Sequence, residues 1–175
     1  IDVNNAERFR IDSSGRVLIG TSTEGATSAD TLTIAESGNS GITIRSGTSN
    51  GGHIYFSDGT SGADEYRGIV FYDHASNYMA FWTNGDSEKL RIDSSGRVMI
   101  GTTTEGNASA DDLTIQANDG GACGITLRSD TDEGARIFFS DGTSGADEYR
   151  GVVGYDHGSN YMYFSTNAAE KVRIT

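Results

Sequence analysis

The chain has 175 residues, a formal net charge of −12, 35% hydrophobic content, 24 glycines, one cysteine and no proline. So acidic a balance argues against nucleic acid and anionic membrane surfaces as partners, because both call for basic patches. No apolar run reaches the roughly 18–20 residues that a bilayer span needs, no signal peptide is visible, and the single Cys123 excludes a disulfide framework.

In chain order, the apolar residues recur with period two in short runs separated by Gly-rich turns. Phe9 and Ile11 alternate with Arg8, Arg10 and Asp12, and Asp12-Ser-Ser-Gly15 predicts a turn. Val17 and Ile19 alternate with Arg16 and Leu18 until Gly20. Leu32 and Ile34, then Ile42 and Ile44, continue the alternation with Thr between. Ile54-Tyr-Phe56 ends in the turn Ser57-Asp-Gly-Thr60. A long run from Tyr66 to His74 is followed by Asn77 to Thr83 and by Asn84-Gly85, a strong hairpin signal. No stretch sustains a 3.6-residue period, so the expected fold class is all-β, built from tandem short-stranded repeats.

The chain repeats itself. Residues 10–17 recur unchanged at 91–98, an offset of 91 − 10 = 81, and Ser57–Gly68 recur at Ser140–Gly151, an offset of 140 − 57 = 83. The extra length falls in the turn from Gln116 to Cys123. A third copy opens at Glu170-Lys-Val-Arg-Ile174, matching Glu88-Lys-Leu-Arg-Ile92 and Glu7-Arg-Phe-Arg-Ile11. The expected organisation is therefore the end of a preceding unit over 1–6, β repeats over 7–87 and 88–169, and the start of a third over 170–175. Self-similarity of this kind marks an open-ended array, and the chain reads as an excerpt from a longer polypeptide.

Comparing the copies assigns faces. Met79 and Phe81 recur as Met162 and Phe164, whereas Ala80 becomes Tyr163 and Trp82 becomes Ser165. Trp to Ser is a volume change a packed core absorbs only at several kcal/mol. Met79 and Phe81 are thus expected on the core face, with Ala80 and Trp82 toward solvent or a groove. Phe71, which becomes Gly154, is placed on the tolerant face, and Ile69 to Val152 is a mild core substitution.

Candidate sites are few. His53 becomes Arg136, which a ligand would not tolerate, and His74 and His157 recur beside Asp73 and Asp156 as turn or packing histidines rather than metal ligands. Ser57–Tyr66 has the acidic, turn-rich look of a calcium loop. Its spacing does not match the twelve-residue pattern, and a turn with Arg67 explains the same residues. Asp64 and Glu65 are adjacent, so on a strand they point to opposite faces and could not flank one glycosidic bond. Neither a nucleophile–base constellation nor a cofactor motif is discernible, and duplicating the unit would duplicate any active site; no enzyme is expected. The exposed aromatics remain: Trp82, Tyr78, Tyr161 and Tyr163 are the candidates for a surface glycan contact.

The stretch from Glu7 to Thr21 (Glu-Arg-Phe-Arg-Ile-Asp-Ser-Ser-Gly-Arg-Val-Leu-Ile-Gly-Thr), its copy at 88–102, and Tyr66-Arg-Gly-Ile-Val-Phe-Tyr-Asp-His74 resemble a repeat of bacteriophage tail fibres, common in phages of marine and cyanobacterial hosts. The likeness covers nearly the whole chain and its motifs are structural. It implies an extracellular virion protein that helps to project a receptor-binding tip for host attachment, with other tail-fibre or baseplate proteins as partners. It also implies a homotrimer of intertwined β-structure, a β-prism or triple β-helix, in which three chains share what is a lean core in each. Two alternatives stand beside it: a glycan-binding module on the fibre surface, and a bacterial adhesin repeat. For the fold, the alternative is a single-chain β-solenoid.

Overall fold

The computed structural model describes residues 1–3, 6–117 and 120–175. Asn4 and Asn5, in the expected end of a preceding unit, and Asn118 and Asp119, in the lengthened turn, lie outside them. The chain is all-β. Its strands are β1 (Asp2–Val3), β2 (Ala6–Glu7), β3 (Phe9–Ile11), β4 (Val17–Ile19), β5 (Leu32–Ile34), β6 (Gly51–Phe56), β7 (Gly68–Asp73), β8 (Tyr78–Thr83), β9 (Ser87–Ile92), β10 (Val98–Ile100), β11 (Leu113–Ile115), β12 (Gly134–Phe139), β13 (Gly151–Asp156), β14 (Tyr161–Thr166) and β15 (Ala169–Ile174). Short 3-10 turns at Gly62–Tyr66 and Gly145–Tyr149 precede β7 and β13.

The chain forms two compact units, Ile1–Thr114 and Ile115–Thr175. The sheets run β1-β2, β3-β4-β5, β11-β10-β9-β8-β7-β6 and β12-β13-β14-β15. β6 to β9 form an antiparallel meander, and β12 to β15 repeat it in the same register. The 87/88 repeat boundary falls inside β9. One sheet therefore joins the last strands of one repeat to the first strands of the next.

The Asn84-Gly85 signal does make a hairpin, with φ of 58° and 77° at the two residues. The second copy turns through Asn167 and Ala168 at φ 52° and 56°. Ala168 therefore holds a left-handed conformation that glycine takes without a Cβ penalty. Ile42 and Ile44, expected to continue the strand pattern, are not in a strand and are 68% and 47% exposed. Alternation alone does not make a ladder: an extended segment needs a neighbour to accept and donate its backbone hydrogen bonds.

Opposite residues in the register share a face, and this sorts the large paired side chains of the β6–β10 sheet. One face carries Ile54, Phe56, Val70, Tyr72, Met79, Phe81, Leu90, Ile92, Val98 and Ile100. The other carries His53, Tyr55, Ile69, Phe71, Tyr78, Ala80, Trp82, Glu88, Arg91 and Met99. The expected burial is inverted. Ala80 is fully buried and Ile69 is 7% exposed, while Met79 and Phe81 are 37% and 39% exposed. From its own chain the aliphatic face meets Ile44, which lines a shallow hollow with Ile54, Val70 and Met79; Ile54, Phe56, Met79, Phe81 and Ile92 stay exposed. The mild Ile69-to-Val152 change does lie in the core, with Val152 also 7% exposed.

β4 buries the corresponding face. Leu18, not Val17 or Ile19, is buried, at 1% exposure, and Met99 matches it at 2%. β4 and β5 are parallel, so the connection over residues 20–31 must cross the sheet. It crosses the Leu18 side, where the Gly25 amide donates to Thr33 Oγ1 at 3.0 Å, Thr33 lying opposite Leu18 in the register. Gly106 and Thr114 repeat the bond at 3.0 Å near Met99.

Phe71 and Gly154 do not mark a tolerant face either. Phe71 lies opposite Ala80, and Gly154 lies opposite Tyr163. The large and small partners have exchanged strands: a Cβ on Gly154 would stand 2.5 Å from the Tyr163 ring. Cross-strand pairs are the unit of sheet packing, so this pair conserves volume although each position alone does not.

The chain exposes 12403 Å² of surface. Mass scaling gives about 9,800 Å² for two separate compact bodies of these sizes. The excess is surface that a self-sufficient chain of this mass would have buried.

Two stability outcomes follow. Ala168→Gly should raise unfolding stability by about 1 kcal/mol, read from chemical denaturation. Gly154→Ala should cost about 1–3 kcal/mol by overpacking against Tyr163, and adding Tyr163→Ala should recover much of that loss.

Candidate functional site

The aromatic face of the first unit holds a ring-lined concavity. His53 and Tyr55 of β6, Ile69 and Phe71 of β7 and Trp82 of β8 line it. Tyr66 of the 3-10 turn and Asp86 of the β8–β9 loop complete a pocket of about 170 Å³. The rings pack in tilted and edge-on pairs: His53 with Phe71 at 4.6 Å, Phe71 with Trp82 at 5.9 Å, and Tyr55 with Tyr66 at 6.3 Å between centroids. The Trp82 Nε1 is buried without a hydrogen-bond partner.

Beside the pocket, a repeated device occupies the other tyrosines. Glu88 and Arg91 are three residues apart, which on a regular strand sends them to opposite faces. An irregularity at Phe81/Trp82 in the β8–β9 register puts both on the aromatic face, Glu88 opposite Trp82 and Arg91 opposite Ala80. There the guanidinium donates twice to the Glu88 carboxylate, at 2.8 Å each. It also lies 3.7 Å above the Tyr78 ring. Burial pushes the Tyr78 hydroxyl up from its usual range. Glu170, Arg173 and Tyr161 repeat the arrangement, with the guanidinium 4.0 Å from the ring.

The four aromatic candidates of the sequence thus have different surroundings. Tyr78 and Tyr161 each have an arginine stacked on one face. Tyr163 lies over Gly154 and accepts a 2.7 Å hydrogen bond from Arg136 Nε. Trp82 alone lines the pocket. His53, Tyr55 and Tyr66 belong to the pocket as well. The signal that could have grouped them is the β6–β7–β8 register, which single-strand alternation does not supply.

The Ser57–Tyr66 loop is held by its own hydrogen bonds. The Asp58 and Gly59 amides donate to the Asp64 carbonyl at 3.0 and 3.2 Å, and Ser57 Oγ donates to the same carbonyl at 2.9 Å. Arg67 pairs with Asp58 at 3.3 Å and also with Asp64. Among the described residues, no group of three or more His, Cys, Asp or Glu side chains is placed to hold a metal ion. His74 and His157 set their rings edge-on to Tyr72 and Tyr155, at 5.0 and 4.9 Å. Cys123 is exposed, and its thiol donates to the Ile115 carbonyl at 3.3 Å.

The Asp-Ser-Ser-Gly-Arg turns are ionic clamps. Asp93 Oδ1 accepts from the Ser95 and Arg97 amides at 2.9 and 3.0 Å, and Arg97 bridges Asp93 and Asp111 at 2.8 and 2.9 Å. Asp12, Arg16 and Asp30 do the same in the first copy. The Arg97 side chain, then the backbone amides, hold the Asp93 carboxyl below the usual carboxylate range.

No protein-family model matches the chain, and no curated protein matches it. Among the described residues, no helix is long and apolar enough to cross a membrane.

The clamps set a pH dependence. A carboxyl whose folded pKa is depressed stabilises the fold above its unfolded pKa, and loses that effect as pH falls through the folded value. Asp93 should titrate below the ordinary value of about 3.9 in a carboxyl-resolved NMR titration, and Arg97→Ala should move it back up toward that value.

Proposed function

We propose that the chain is a structural, non-enzymatic segment of a phage tail-fibre shaft, a homotrimer that spaces a receptor-binding tip from the virion. One observation carries the reading: the face that both copies keep is the face the chain leaves open. Ile54, Phe56, Met79, Phe81 and Ile92 recur as Ile137, Phe139, Met162, Phe164 and Ile174, and all ten are exposed hydrophobics. Burying such a side chain fully is worth about 1.5–3 kcal/mol. A patch of this extent marks an interface rather than a free surface. Three sheets turned aliphatic side inward around an axis would cover it in every repeat at once and give the mechanical continuity a shaft needs.

The repeat resemblance supports three chains and a virion location, with neighbouring fibre or baseplate proteins as partners. The open face favours assembly between chains over a single-chain β-solenoid, whose coils would cover it. The glycan-module and adhesin readings draw on fewer observations, since arginines already engage Tyr78, Tyr161 and Tyr163.

Sedimentation or multi-angle light scattering should give three times the 18.5 kDa chain mass. A folded monomer, or a two-chain sandwich, would contradict the trimer. Phe81→Asp together with Phe164→Asp should dissociate it, because a carboxylate buried without a partner costs several kcal/mol.

A further inference from the structure

The pocket on the aromatic face has a composition that the shaft does not require. Five of its side chains are rings (His53, Tyr55, Tyr66, Phe71 and Trp82) and its one carboxylate is Asp86. Neither lysine nor arginine lines it. Ring faces carry negative electrostatic potential and attract cations, most strongly at Trp. A carboxylate at the rim adds a counter-charge, while the absence of Lys and Arg leaves no cationic donor for a phosphate or sulfate. At about 170 Å³ the space suits a compact group rather than an extended chain. The same face already uses this chemistry internally, where Arg91 lies 3.7 Å above Tyr78.

We propose that this pocket binds an alkylated ammonium group of the trimethylammonium type. The second unit is an internal control. At the positions matching His53, Phe71 and Trp82 it carries Arg136, Gly154 and Ser165. Its β14–β15 turn is one residue shorter, with no acidic side chain between Asn167 and Ala169. Three of the five rings and the carboxylate are lost and a fixed cation is gained, and each change acts against a bound cation. A site that merely packed aromatics would not have to lose the acid together with the rings. The pocket lies on the opposite sheet face from the proposed chain–chain interface, so the inference stands or falls separately from the trimer.

Trp82 is the chain's single tryptophan, so its fluorescence reports this pocket alone. Titrating the full chain with tetramethylammonium and with choline should give a saturable change. The neutral carbon isostere 3,3-dimethylbutanol should bind at least about fivefold more weakly, the loss expected when the cation–π attraction is removed. Asp86→Asn should weaken choline binding by a similar factor. His53→Arg, which installs the second copy's residue, should abolish it with the β-sheet circular dichroism unchanged. Three results would overturn the proposal: no saturable response, equal binding of choline and its neutral isostere, or a response to neutral oligosaccharides in place of the ammonium probes.

Discussion

A strand places alternate side chains on opposite faces, and the strands of this chain place most of their branched aliphatics on one of them. Among the described residues of a unit, no second sheet or helix covers that face, and Ile44 lies beside it in the first unit. Sheets of one apolar face are stable only when that face is covered, by a second sheet, by helices or by closure of the sheet on itself. Here the described residues offer no helix beyond the 3-10 turns, and the crossing connections at 20–31 and 101–112 cover the other side. The fold is therefore half of a core. In the proposed assembly, further copies of the same chain supply the missing half.

The opposite face answers to different constraints. It is packed locally, by Leu18 and Met99 beside their crossing loops and by aromatic rings set against small neighbours such as Ala80 and Gly154. Because its packing is settled pair by pair within one sheet, a large change at one position can be offset at its cross-strand partner. Phe71 with Ala80 in one copy becomes Gly154 with Tyr163 in the other, and the Glu-X-X-Arg bridge under a tyrosine survives in both. One repeat thus forms a ring-lined pocket, while its neighbour sets Tyr163 beside Gly154 and bonds it to Arg136.

Much of the architecture was legible in the sequence. Period-two alternation located β3, β6, β7 and β8, and Asn84-Gly85 located a hairpin. The repeat correctly identified Ile69 and Val152 as equivalent core positions. What misled was reading substitutions one position at a time. Phe71 to Gly154 looked like tolerance, because the change is absorbed by Ala80 becoming Tyr163 on another strand. Invariance at Met79 and Phe81 looked like burial within the chain, although one chain's alternation does not say which molecule covers a face. Ile42 and Ile44 had the pattern of a strand but no neighbour to pair with. The pocket needed three strands, a turn and a loop to converge, and only the register shows that.

The central claim is that the aliphatic face is covered in the native protein, and the three methionines test it directly. Met79 and Met162, on that face, are 37% and 38% exposed in the single chain, whereas Met99 is 2% exposed on the other side. Peroxide oxidation converts an accessible methionine to its sulfoxide at a rate set by solvent contact. Peptide mass spectrometry of the native protein should find Met79 and Met162 as protected as Met99, with all three oxidising together after denaturation. Fast oxidation of Met79 and Met162 beside a protected Met99 would mean that the face is bare in solution, and would contradict the account.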